Sequence, residues 1–137
     1  MSWELSQLVH RYALAVDSGQ SVVPLFTDDG VLVVPDPPEV LDPVIVHAGA
    51  DAIAAATAGL PPTFHAIVGE VYSSGEDGPC GRIACVAHHV LDGKTDLVWH
   101  LRYLDHYRQV EGSWRIARRE LSIDLIETRP LKRARSL

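Results

Sequence analysis

Thr95-Asp96-Leu97-Val98-Trp99-His100-Leu101-Arg102-Tyr103-Leu104-Asp105-His106-Tyr107-Arg108-Gln109 is the stretch that decides the fold. Alternate residues fall into two sets. Leu97, Trp99, Leu101, Tyr103, Asp105 and Tyr107 share one side, and Asp96, Val98, His100, Arg102, Leu104, His106 and Arg108 the other. A period of two sustained over this length marks a β-strand with one face against a core, and the ring-rich first set is the predicted interior face. Neighbouring segments repeat the pattern. In residues 81–91 the apolar parity is Ile83, Cys85, Ala87, His89 and Leu91, which turns His89 inward and His88 outward. In residues 113–126 the parity breaks: Trp114 and Ile116 give way to Leu121, Ile123 and Leu125, so a bulge is predicted near Arg118-Arg119. Residues 63–73 add a further strand. The turns at 74–78, Asp92-Gly93 and Glu111-Gly112 make these four segments an antiparallel meander.

Upstream the period changes. Leu5, Leu8, Val9, Tyr12, Ala13 and Val16 recur at helical spacing, and Asp17-Ser18-Gly19 stops the helix, with Gly19 suited to a left-handed cap. At 100° per residue, Asp17 lies at the edge of the apolar stripe, about 40° from Ala13. A short second helix is predicted over residues 21–26, a turn at Asp28-Asp29-Gly30, a strand over 31–34, a proline-rich loop over 35–43, a strand over 44–47, and an Ala-rich helix from Gly49 to about Ala58. Helices, a hairpin, a helix and a long meander form an α+β domain. The expected shape is a cone, a curved mixed sheet wrapped around the N-terminal helices and enclosing an apolar pocket. The domain is expected over residues 1–128, followed by a basic, flexible tail over 129–137.

Composition sets further bounds. A chain of 137 residues, 47% hydrophobic and 22% charged, is one globular domain able to bury a core. A net charge of −6, with basic residues concentrated only in 129–135, argues against nucleic acid as a partner. Cys80 and Cys85 supply neither a disulfide framework nor metal-ligand spacing, and the histidines show no ligand spacing, so no metal is expected. No signal segment and no apolar run of membrane-spanning length is seen, which points to a soluble, cytoplasmic protein without membrane partners.

Several segments, taken in order, carry a resemblance: Arg11-Tyr12-Ala13-Leu14-Ala15-Val16-Asp17-Ser18-Gly19, Leu25-Phe26-Thr27-Asp28-Asp29-Gly30-Val31, Thr63-Phe64-His65, Tyr103-Leu104-Asp105-His106-Tyr107-Arg108 and Glu111-Gly112-Ser113-Trp114-Arg115-Ile116. Over roughly residues 3–127 the chain resembles the SnoaL-like branch of the nuclear-transport-factor-2-like superfamily, whose enzymes include scytalone dehydratase, bile-acid 7α-dehydratase and hexachlorocyclohexane dehydrochlorinase. The resemblance implies an Asp–His dyad at Asp17 and His65. It also implies a polar substrate contact at Tyr12, a second histidine at His89 and a polar pocket residue at Tyr103. Ketosteroid isomerase is a more distant likeness, and its base would fall near Val34, which cannot take a proton.

A carboxylate that fixes an imidazole tautomer and stabilises the imidazolium forms a general acid/base couple, and a phenol can hold a substrate oxygen. The residues also have plainer readings. Asp17 can serve only as a helix stop, His65 and His89 as structural strand residues, and Tyr12 as core. Trp99, Leu101, Tyr103 and Val34 are expected to wall the pocket. The implied function is a cofactor-independent, dehydratase-type lyase acting on a small apolar cyclic molecule. Alternatives are an isomerase using the same dyad, or a non-catalytic ligand-binding or subunit module. A dimer or trimer built on the outward sheet face is expected, because Val98 and Leu104 interrupt the charges there.

Overall fold

The computed structural model describes residues 1–135, so the last two residues of the expected tail lie outside the described residues. Helix α1 (Ser2–Asp17) buries Leu5, Leu8, Val9, Tyr12, Ala13 and Ala15, the stripe that its spacing implies. It ends in a Schellman motif. Gly19 takes φ 71° and its N–H reaches the Val16 carbonyl, while the Gln20 N–H reaches Ala15 O at 2.8 Å. Helix α2 (Ala50–Ala58) fully buries only Ile53. Six strands follow the order β2-β1-β6-β5-β4-β3: β1 (Phe26–Asp36), β2 (Val40–Ala48), β3 (Thr63–Gly75), β4 (Gly78–Leu91), β5 (Thr95–Val110) and β6 (Ser113–Pro130). The β1–β6 pair is parallel and the others are antiparallel, so the sheet is mixed, curved and open. Its concave face packs on α1, and the core lies between them.

Four local expectations are corrected. The predicted helix over 21–26 is a single 3-10 turn, Val23–Leu25, because Pro24 cannot supply the amide that a longer helix needs. Asp28-Asp29-Gly30 is not a free turn but a large bulge inside β1. Phe26 pairs with Ile116 and Val31 with Arg118, so three extra residues loop out of β1. Gly30 is required there, since a Cβ would lie 2.9 Å from the Thr27 carbonyl. The loop over 35–43 is mostly strand, and only residues 37–39 connect β1 to β2. The bulge expected near Arg118-Arg119 is present, with Ala117 as its extra residue, and a second lies at Asp124. β6 also runs through Pro130, and the Leu131 N–H donates to Lys94 O, so regular structure passes the expected boundary at 128.

The meander keeps its predicted inward parity, with Leu101, Tyr103, Asp105 and Tyr107 buried on β5 and His89 buried on β4. Three residues depart from it. Leu91, expected inside, lies exposed at the strand end. Val98 and Asp96, expected on the outer surface, are buried, Val98 at 0% exposed. Val98 lies between cross-strand neighbours His88 and Glu127, and the pairs His88–Asp96 (2.6 Å) and His100–Glu127 (2.8 Å) close around it. Apolar surface on this outer face is carried instead by Phe64, Val71, Leu104 and Leu125. No helix among the described residues is long and apolar enough to cross a membrane.

One close approach governs how β4 meets β5. A Cβ on Gly81 would fall 2.5 Å from the Tyr107 hydroxyl oxygen and 3.1 Å from the Tyr72 ring. Gly81→Ala therefore forces the Tyr107 ring off its seat. It should lower unfolding free energy by about 1–3 kcal/mol in a urea titration, whereas the unobstructed Gly59→Ala should not.

Candidate active site

The end of α1 and the start of β3 meet through one carboxylate. Asp17 Oδ1 accepts from His65 Nδ1 at 2.6 Å and from the Thr63 hydroxyl at 2.9 Å, while Oδ2 accepts the His65 backbone N–H at 2.9 Å. A carboxylate here faces the negative end of the α1 dipole, and the last turn carries no basic residue, so these three donors supply the compensation. The bond also settles a tautomer. Because the carboxylate can only accept, Nδ1 of His65 carries a hydrogen, and in the neutral imidazole Nε2 keeps its lone pair.

His65 opens on an inner cavity of about 170 Å³. Tyr12, Val34, His89, Trp99, Leu101 and Tyr103 line it as well, so seven of the eight expected site residues meet there. Asp17 does not. It stands behind His65 and faces an outer groove instead. His89 packs on Trp99 with ring centres 4.6 Å apart and lies 6.4 Å from the His65 ring. Its Nδ1 donates to the Leu97 carbonyl at 2.8 Å, which leaves Nε2 an acceptor. Burial holds His89 below the ordinary histidine value, with the nearby His65 acting in the same direction.

The floor of the cavity is charged from beneath. Arg119 and Asp105, 1% and 0% exposed, pair through Nε–Oδ1 and Nη2–Oδ2 bonds of 2.8 Å each, and the Tyr107 hydroxyl donates to Oδ2 at 2.8 Å. Burial opposes the arginine charge, but Asp105 outweighs it and holds the guanidinium above its usual range. That guanidinium stacks 3.8 Å from the Tyr103 ring centre and 4.3 Å from that of Tyr12. Burial pushes both phenols up despite this cation, so both stay protonated donors.

Arg119, Thr63 and His47, a further cavity-lining residue on β2, were not among the expected site residues. Signals existed for the first two. Arg119 shares the parity of Leu121 and Ile123, and Thr63 lies two positions from His65 on the same strand face. Among the described residues no three His, Cys, Asp or Glu side chains converge as a metal site would require, and Cys80 and Cys85 are free thiols, the buried Cys85 pushed up to about 12 by desolvation.

Two stability outcomes follow. Asp105→Asn leaves Arg119 buried without its counter-charge and should cost about 3–5 kcal/mol in chemical denaturation. His89 binds protons less readily folded than unfolded, so its contribution is present above the ordinary value of 6.5 and is lost as pH falls below it. The urea midpoint should therefore drop between pH 7.5 and 5. The drop should be smaller in His89→Asn, which keeps a donor for Leu97 O but cannot titrate.

The SnoaL-like domain model matches residues 2–120, and the chain belongs to that family, within the nuclear-transport-factor-2-like superfamily. No curated protein sequence matches it. Solved structures share its fold. A candidate scytalone dehydratase from Novosphingobium aromaticivorans superposes with a TM-score of 0.79 at 18% identity, covering 97% of this chain and 90% of that one. A type 2 hexachlorocyclohexane dehydrochlorinase gives 0.78 at 13%, covering 95% and 88%. ActVI-ORFA from Streptomyces coelicolor gives 0.71 at 17%, covering 90% and 96%.

Proposed function

We propose that this SnoaL-like domain is a cofactor-independent lyase of the dehydratase type, acting on a small cyclic β-hydroxyketone. The observation that carries the reading is the 2.6 Å Asp17–His65 pair, whose imidazole opens on an apolar cavity that also holds two protonated phenols. Similarity in fold to a candidate scytalone dehydratase and to a dehydrochlorinase supports the reaction class.

In this mechanism His65 Nε2 takes the proton from the carbon next to the carbonyl. The C–H electron pair moves into an enolate, and the Tyr12 hydroxyl donates to its oxygen. The enolate pair then forms the new carbon–carbon double bond as the carbonyl returns, and the β C–O bond breaks with its electrons on oxygen. That oxygen takes the proton back from His65 Nε2 and leaves as water. Asp17 keeps Nδ1–H directed away from the substrate and balances the imidazolium charge. His89 Nε2, with Nδ1 committed to Leu97 O, accepts the hydrogen of the departing hydroxyl and holds it in line. Val34, Trp99, Leu101 and Tyr103 shape the ring slot.

Two probes test this. In D2O the protein should speed deuterium uptake next to the carbonyl of 2-tetralone, and it should convert 4-hydroxy-2-tetralone to 2-naphthol with loss of water. His65→Ala should return both to the buffer rate. Asp17→Asn should lower kcat by about 10²–10⁴-fold with little change in KM, since it removes stabilisation specific to the transition state. Uptake without elimination would point to an isomerase. Binding of 2-tetralone with no uptake would point to a ligand-binding module.

A further inference from the structure

The inner cavity, at about 170 Å³, is smaller than the ~300–1,000 Å³ of sites that enclose a drug-sized ligand. A wider outer groove of about 580 Å³ adjoins it, between the ends of α1 and α2 and the segment leading into β3. Val16, Thr57 and Leu60 line both spaces, so a wall one side chain thick divides them. Leu60 is the part of that wall free to move. It is 41% exposed, it follows Gly59, where an added Cβ would meet nothing within 4 Å, and it extends from a helix that fully buries one side chain. The far end of the segment is fixed, because the Pro62 carbonyl accepts the Val90 N–H at 2.9 Å.

The groove has a distinct chemistry. Its polar lining is Asp17, Ser18, Gln20, Ser21, Thr57 and Thr63, with no Lys, Arg or His. The hydroxyl hydrogens of Ser18, Thr57 and Thr63 are committed to Leu14 O, Ile53 O and Asp17 Oδ1, so these oxygens present lone pairs outward. A lining of acceptors beside a carboxylate suits incoming hydroxyl donors and opposes an anion.

We infer that the outer groove is a second subsite of the active site, that the substrate is a neutral molecule carrying a hydroxylated substituent in that groove, and that Leu60 sets the width of the passage between the two parts. The inference rests on the proposed function, which places the reacting ring in the inner cavity. It excludes substrates tethered to a phosphate, a carboxylate or a coenzyme thioester, for which the groove offers no cation.

Three probes separate the possibilities by titration calorimetry: 2-naphthol, its neutral diol ether 3-(2-naphthyloxy)-1,2-propanediol, and the anionic 2-naphthyloxyacetate. The diol should bind about fivefold more tightly than 2-naphthol, the worth of one added hydrogen bond, and the anion about tenfold more weakly than the diol. Gln20→Ala, at an exposed position that lines only the outer groove, should erase the advantage of the diol and leave the Kd of 2-naphthol unchanged, whereas Leu60→Trp, which narrows the passage, should weaken the diol more than it weakens 2-naphthol. If 2-naphthol binds and the diol binds no better, the subsite is overturned and the proposed function stands. An anion as tight as the diol overturns the neutral substrate class. If none of the three binds, the inner-cavity reading and this inference both fall.

Discussion

A guanidinium and a carboxylate sealed from water hold the centre of this cone. Taking each ion out of solvent costs several kcal/mol, and a buried pair recovers that only when its remaining polar atoms are also satisfied. Here both Asp105 oxygens accept from Arg119, Oδ2 also accepts from Tyr107, and the open faces of the guanidinium are covered by the Tyr12 and Tyr103 rings. Three strands and one helix must come into register for all of this to hold. Tyr12 comes from α1, Tyr103, Asp105 and Tyr107 from β5, and Arg119 from β6, while Gly81 on β4 leaves room for the Tyr107 ring. The pair thereby fixes where two phenols stand at the cavity floor. An apolar cluster of equal volume would fill the same space with similar stability, but it would not set two hydroxyl donors over a positive charge.

The second constraint acts at the helix end. α1 could stop at Ser18-Gly19 through backbone bonds alone, since the Schellman pair already satisfies its last carbonyls. Asp17 is therefore not needed as a stop. Its charge is unfavourable against the helix dipole, by about 0.3–1 kcal/mol, and it is retained where three donors from the β3 start converge on it. A second tie, His10 to Glu70 at 3.0 Å, joins the same helix to the same strand further along. Helix and edge strand are thus joined at two points, and the imidazole between them has one orientation.

Much of this was legible in the chain itself, for definite reasons. The period-two alternation over residues 95–109 identifies a strand and its buried face, because burial of one side is what imposes the alternation. The same reasoning turns His89 rather than His88 inward. The helix stripe from Leu5 to Ala13 reads equally directly. What could not be read depends on partners distant in sequence. Asp28-Asp29-Gly30 has the composition of a turn, and only pairing with β6 converts it into a bulge. Val98 has outward parity, and it is buried by histidine–carboxylate pairs that single-strand periodicity does not register. Arg119 falls where the parity breaks and a bulge is predicted, and its inward place emerges only when Asp105, fourteen residues earlier, is brought opposite it. Proximity of Asp17 and His65 came from resemblance, since nothing within either segment points to the other.

The two cavity histidines are chemically alike in sequence and are set apart by what stands behind each. Both direct Nδ1 away from the cavity, and so both leave Nε2 unprotonated while neutral. A proton arriving on His65 meets a carboxylate 2.6 Å behind the ring; one arriving on His89 meets only the dipole of the Leu97 carbonyl, amid apolar burial and the ring of Trp99. Desolvation and the neighbouring imidazole both hold His89 neutral. Once His65 is charged, a second proton 6.4 Å away would face like-charge repulsion as well. In the proposed reaction this removes an ambiguity that two equivalent bases would create: one imidazole cycles its proton, and the other can only accept a hydrogen bond. The roles are assigned by a carboxylate and a carbonyl behind the rings, not by the rings themselves.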